Sequence, residues 1–162
     1  MIRIVFNTGP IIAQLGKAQT LLADPKPMHE EIGEYVVEAT KKRFVTSTAP
    51  DGSKWRNKQP ATLARYIAQG DGKKDKPLIG PSGRLGREIA TLATREQVEI
   101  GSALEYSGVM QGGAGRGAFG NYKGQPLPWG DIPARVWLGL SDVDDRNILD
   151  IADEAMATAL KG

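Results

Sequence analysis

The apolar positions of the chain follow two periods, separated by long stretches with neither. Residues 2–6 (Ile2, Arg3, Ile4, Val5, Phe6) are β-branched and aromatic in loose alternation, which predicts a short strand. Thr8 ahead of Gly9 and Pro10 marks a helix start, because a proline in the first turn has no helical N–H to lose. Ile11, Ile12, Leu15, Ala18 and Leu22 then share a face at helical spacing until Pro25 and Pro27 end the run. A second helix is predicted from Met28 to Phe44, with Met28, Ile32, Tyr35, Val36 and Ala39 as its apolar stripe. Its acids (Glu30, Glu31, Glu34) come early and its bases (Lys41, Lys42, Arg43) late, the order a helix dipole favours.

Periodicity fades after Val45. Thr46 to Gly52 is rich in turn residues, and Trp55 follows in a polar setting; residues 62–67 suit a short helix, and Gly70 to Pro77 is a basic, flexible stretch. A strand is predicted within Gly86–Thr94, pairing with Gln97–Gly101 across a tight turn at Arg95 and Glu96. Seven glycines between Gly112 and Gly130 predict a second long loop. Ile132 to Leu138 reads as a last strand, placed at an edge by Pro133. The final helix opens at Ser141, with Asp144 completing a capping box, and its buried stripe is Ile148, Ile151, Ala152, Ala155, Ala159 and Leu160. The expected fold class is α+β: about three helices packed on a small, mostly antiparallel sheet, in one domain over residues 1–162. Two long loops, 45–85 and 111–131, exceed what a compact domain needs unless loops carry function.

Composition sharpens this picture mainly by exclusion. The 162 residues contain 20 Gly and 10 Pro, most of them in and around the two loops. No cysteine is present, which removes disulfides, thiolate metal sites and a cysteine nucleophile. The one histidine, His29, stands beside Glu30 and Glu31 with no serine and acid spaced for a triad, and no GxSxG elbow occurs. Gly115 to Gly120 matches GxGxxG literally, but neither a strand before it nor a helix after it is predicted, so a dinucleotide site is rejected. Asp142, Asp144, Asp145, Asp150 and Asp153 lack the Gly and Glu of a calcium loop and are explained by helix capping. No catalytic, cofactor or metal residue is expected. Neither a secretory leader nor a membrane-spanning segment is read from the chain.

The net charge of +2 hides an uneven distribution. Residues 41–87 carry twelve Lys and Arg against three Asp, whereas residues 131–154 carry seven acids against two bases. Opposite poles on one small domain suit head-to-tail docking, a heterologous contact that closes into a ring. A basic region of this kind also suits phosphate, so a cytosolic nucleic-acid-binding domain using residues 41–87 is the competing reading.

A series of motifs adds a resemblance. Arg43-Phe44, Ala49-Pro50-Asp51-Gly52-Ser53-Lys54-Trp55 and Thr62 form an "RF, PDG, W, T" series. Leu78 to Leu85 ends in Ser82-Gly83-Arg84-Leu85, and Val98 to Ser102 contains Gly101. Tyr106, Gln111 and Gly112 come next, and Ile132-Pro133-Ala134-Arg135-Val136-Trp137-Leu138-Gly139-Leu140-Ser141-Asp142 closes the set. In this order over about 120 residues, they resemble the phage virion morphogenesis family, which takes in Mu-type and P2-like tail-completion proteins. Met110 departs from the histidine expected before Gln111, Trp137 is the aromatic before Leu138, and Ser107 replaces a common alanine. The resemblance implies a non-enzymatic structural protein of a tailed phage or prophage, assembled in the host cytoplasm into the virion. It further implies a ring, sixfold at the tail end, between connector and tail tube. Neighbouring neck, connector or tail-tube proteins would be its partners, with non-specific contact to channel DNA, no cofactor and no membrane. On that basis Lys73, Lys74 and Lys76 are expected to face Asp142, Asp144 and Asp145 of the next subunit, with Trp55 and Trp129 as aromatic anchors.

Overall fold

A computed structural model describes residues 9–72, 74–80, 82–122, 125–126 and 131–161. The strand expected at residues 2–6, the helix start at Thr8, and the candidate residues Lys73 and Trp129 lie outside the described residues. The described elements are α1 (Gly9–Ala23), α2 (Lys26–Thr46), α3 (Pro60–Ala68), β1 (Ala90–Ala93), β2 (Val98–Gly101), α4 (Ser107–Gly112), β3 (Asn121–Tyr122), β4 (Gln125–Pro126) and α5 (Asp142–Lys161). The fold is α+β.

Helix α2 is the centre of the arrangement. Pro27 sits in its first turn, where it is tolerated, so the helix begins two residues ahead of Met28. It ends at Ser47, which takes a left-handed φ of 57° as its N–H bonds to Arg43 O. Ile32, Gly33, Val36, Val37, Thr40, Arg43 and Phe44 recur at helical spacing and are buried. Gly33 lets this face lie close on the hairpin: a Cβ there would meet Thr91 Oγ1 at 2.2 Å. The hairpin is antiparallel, pairing Ala90 with Gly101 and Ala93 with Val98, so the turn falls at Arg95 and Glu96 as expected. His29 Nδ1 donates to Thr94 O over 2.8 Å, which ties the hairpin end to the start of α2.

The layers run in order: hairpin, α2, α5, then α1. Among the described elements α1 packs only on α5. The stripe expected to be buried on α5 is half-buried, and Leu160 is exposed. The apolar face of α1 is similarly open, with Ile12, Leu15 and Leu22 all more than 60% exposed.

The short helix predicted at 62–67 is present as α3 within the 45–85 stretch. Two other expectations need correction. The 111–131 stretch is not all loop, since it contains the end of α4 and the small β3–β4 pairing. Residues 132–138 are not a strand. Ile132 makes one isolated antiparallel bridge to Ala114, and beyond it Trp137 is buried in the core with Leu138 packed against it, without a strand beside them, while Val136 is exposed.

The core sits where α2 meets these irregular segments. Val37, Phe44, Ala49, Trp55, Leu85, Ile89 and Trp137 form it, with Leu78, Ile100, Leu104, Met110 and Leu138 packed around. Phe44 stands edge-on to Trp55, centroids 5.3 Å apart, and tilted to Trp137 at 6.1 Å. Each large apolar side chain buried here contributes about 1.5–3 kcal/mol of transfer free energy.

Candidate assembly surface

The motif residues fall into two groups, an inner clasp and an outer surface. The clasp begins with Gln111 at the end of α4. Its Oε1 accepts from the N–H groups of Trp137 (2.9 Å) and Leu138 (3.1 Å), and its Nε2 donates to Leu138 O (2.7 Å). One side-chain amide thus satisfies three backbone groups that a neighbouring strand would otherwise pair. This is why 132–138 has strand-like composition without a strand partner. Gly113, with φ of 74°, follows at once; a Cβ there would lie 2.7 Å from Ala134 N and from Ile132 O.

The indole groups complete the fastening. Trp55 Nε1 donates to Val136 O (2.8 Å) and Trp137 Nε1 to Ser107 O (3.2 Å). Arg135, 8% exposed, donates through Nε to Arg56 O (2.7 Å) and through Nη2 to Asn57 O (3.1 Å). Burial, then the neighbouring Arg56 charge, works against the Arg135 cation. Lys58 bonds to Lys74 O and to Ile79 O (2.6 Å) and lies 4.4 Å from the centre of the Tyr66 ring; burial lowers its pKa. These cations hold loop carbonyls in place. That is how a segment poor in regular structure is fixed.

A second inner network joins α2 to α5. Arg43 pairs with Asp144, both under 10% exposed, and Arg43 Nη1 also donates to Gly139 O (2.6 Å). Asp144 accepts from Tyr35 (2.9 Å), from Ser141 N (2.7 Å) and from Ser141 Oγ (2.6 Å), while Asp144 N donates back to Ser141 Oγ (3.2 Å). The capping box is therefore realised and extended inward. Burial raises the Asp144 carboxyl pKa, but the Ser141 and Tyr35 hydrogen bonds and the Arg43 charge outweigh it, leaving it below the ordinary value. Burial raises the Tyr35 pKa, although a hydrogen bond from Asn147 opposes this.

Two exposed apolar areas adjoin the clasp among the described residues. One lies between the Pro50–Gly52 turn and the start of α5, where Val136, Leu140 and Val143 are 42–53% exposed, with Asp51 and Asp142 at its edges. Asp51 accepts from Ser53 N (2.9 Å), which shapes the turn, and Ser53 holds its carboxyl below the ordinary pKa. The other is a groove of about 520 Å³ floored by Phe44, Val45, Leu78 and Ile79 and rimmed by Lys41, Lys76 and Arg87. No acidic side chain lines it among the described residues. Val45 is 69% exposed there, and Leu78 holds a left-handed φ of 60°, a costly conformation for a non-glycine residue.

The residues expected to form a subunit contact divide accordingly. Asp142 and Asp145 are exposed at the start of α5. Asp144 is committed to Arg43 inside the chain, and Trp55 is a core residue, 5% exposed; neither is presented to a neighbour. Lys74 pairs with Asp71 (3.0 Å), and Lys76 Nζ donates to Val45 O (3.1 Å). Of the motif residues, Phe44, Leu85, Arg135 and Leu138 belong to the core or its fastening, as does Gln111, whereas Gly112 at the end of α4 is exposed. Gly101 ends β2, Gly83 takes a left-handed φ of 61°, Pro133 is half-buried and Tyr106 is exposed. Sequence reading missed Lys41 and Arg87 as rim residues, because nothing local links positions 41, 76 and 87. It also missed Leu140 and Val143, which read as part of a capped helix start.

Among the described residues, no group of three or more His, Cys, Asp or Glu side chains is placed to hold a metal ion. Among them too, no helix is long and apolar enough to cross a membrane. The family model described as the phage virion morphogenesis family matches residues 7–157. No curated protein and no solved structure matches the chain.

Proposed function

Because the chain belongs to the phage virion morphogenesis family, a structural and non-enzymatic kind of protein, we propose that it works at the neck or tail end of the particle as a ring-forming subunit. Tail completion, tail termination and head–tail joining are the roles this covers. The family match over nearly the whole chain carries the reading. The structure supports it in a second way. The family-motif segments around residues 44–55, 106–112 and 132–142 are spent on fastening loops to one another, and the shape so fixed ends in exposed apolar areas with charged edges. Such areas mark protein contacts more often than small-molecule sites.

Nucleic-acid binding by residues 41–87 is the competing reading, and several of its bases are occupied within the chain. Arg43 is buried against Asp144, Lys58 faces carbonyls, Lys74 pairs with Asp71, and Arg84 pairs with Glu88 (2.6 Å). The local excess is smaller in space than in sequence. The test is gold labelling of the tagged protein in mature particles. Label at one end of the tail supports the reading; label along the whole tail, or none in mature particles, overturns it.

A further inference from the structure

We infer that the basic groove of one copy receives the acidic apolar area of the next, so that each chain uses two different surfaces in one repeated contact. This rests on the ring-forming reading and specifies where the ring closes.

The two surfaces are complementary in charge and in apolar character. The groove offers an apolar floor in which Val45, Leu78 and Ile79 are incompletely covered, bounded by Lys41, Lys76 and Arg87. Lys41 also pairs with Glu38 (2.7 Å), and the Lys76 and Arg87 side chains are exposed while holding Val45 O and Ser82 O. The opposite partner offers exposed Leu140 and Val143 with Asp142 between them in sequence and Asp145 one turn on. Apolar side chains meet apolar side chains, and each rim meets the other sign. If the two surfaces carried like charge, copies would repel; here a second copy is the partner whose chemistry the chain itself supplies. Because the two surfaces are different, the contact is heterologous, and repetition closes a ring when the rotation allows.

The contact is tested by charge reversal on the full chain, read by sedimentation velocity and native mass spectrometry. Wild type is expected to form a closed oligomer below about 1 mM. Lys76→Glu/Arg87→Glu alone, and Asp142→Lys/Asp145→Lys alone, should each weaken assembly by about tenfold or more. Mixing the two variants should restore it, with equal numbers of each in the particle, because every groove then faces an area of opposite sign. Circular dichroism establishes that each variant is folded. Val143→Arg, at a position 53% exposed, is a second probe that leaves the Asp142 and Asp145 charges in place and should also disrupt assembly.

A wild type that stays monomeric at about 1 mM overturns the inference. So do folded variants that assemble like wild type, or a mixture that stays dissociated. Gold label at the tail end together with any of these results sinks this contact and leaves the proposed function standing. Restored assembly of a protein missing from particles does the reverse.

Discussion

The clasp region and α1 bury their apolar residues to opposite extents. Around Phe44, Trp55, Leu85 and Trp137 every large side chain is 5% exposed or less, and each indole N–H has a carbonyl partner. Along α1 Ile12, Leu15 and Leu22 face out while Leu21 is half-buried, and among the described elements α1 packs on α5 alone. Yet α1 is regular secondary structure, whereas the clasp is mostly loop. Regularity and burial are separate properties here. The loops gain their order from side chains reaching backbone groups, and the helix needs no such help because its hydrogen bonds are internal.

That contrast can be broken most forcefully at Trp137. Trp137→Ala removes a core indole and leaves Ser107 O without its donor, so a loss of about 3–5 kcal/mol is expected in urea unfolding. Asp144→Ala comes next, at about 3 kcal/mol, because Arg43 is then buried without its counter-charge. The same pair predicts a pH response. Asp144 titrates below its ordinary value of 3.8 when folded, so the unfolded chain binds the proton more readily. Its contribution is complete above 3.8 and is lost as pH falls through the lower folded value; Asp144→Asn should flatten that part of an acid-unfolding curve.

Gln111→Ala tests the amide that substitutes for a strand. A cost of about 2 kcal/mol is expected, since two buried N–H groups lose their acceptor. Gln111→Glu keeps an acceptor for the two N–H groups but sets a carboxylate oxygen against Leu138 O, where Nε2 donated, so it too should lose stability. At the small end, Leu15→Ser on α1 should change unfolding free energy by no more than about 0.5 kcal/mol. A loss near that of Trp137→Ala would show that α1 is as integral as the clasp.

The parts legible in the sequence are those set by neighbours in the chain. Pro25 and Pro27 separated α1 from α2, the residue pattern placed the hairpin turn at Arg95 and Glu96, and Ser141 with Asp144 announced the start of α5. What was not legible depends on distant partners. Asp144 satisfied a helix cap and so seemed explained, while its second role, with Arg43, spans 101 residues. The polar flanks of Trp55 suggest an anchor for a subunit contact, but its ring packs edge-on to Phe44 and its Nε1 donates to Val136 O. Ile132 to Leu138 had the composition of a strand because it is buried like one; periodicity cannot reveal that its pairing partner is a glutamine side chain. The apolar stripe of α1 was read accurately as a stripe, yet a stripe does not disclose whether anything covers it.

The bond from Trp55 to Val136 O also bears on how the chain is made. It spans 81 residues, and Arg135 reaches back 79 to Arg56. Contacts of such separation close late, because the intervening loop must first be brought together. On the ribosome, α1, α2 and the hairpin emerge with Phe44 and Trp55 still open, and the aromatic centre is finished only once Trp137 has left the exit tunnel. Until then the nascent chain carries Phe44 and Trp55 uncovered, so the interval before residues 132–138 emerge is one in which it needs protection from aggregation.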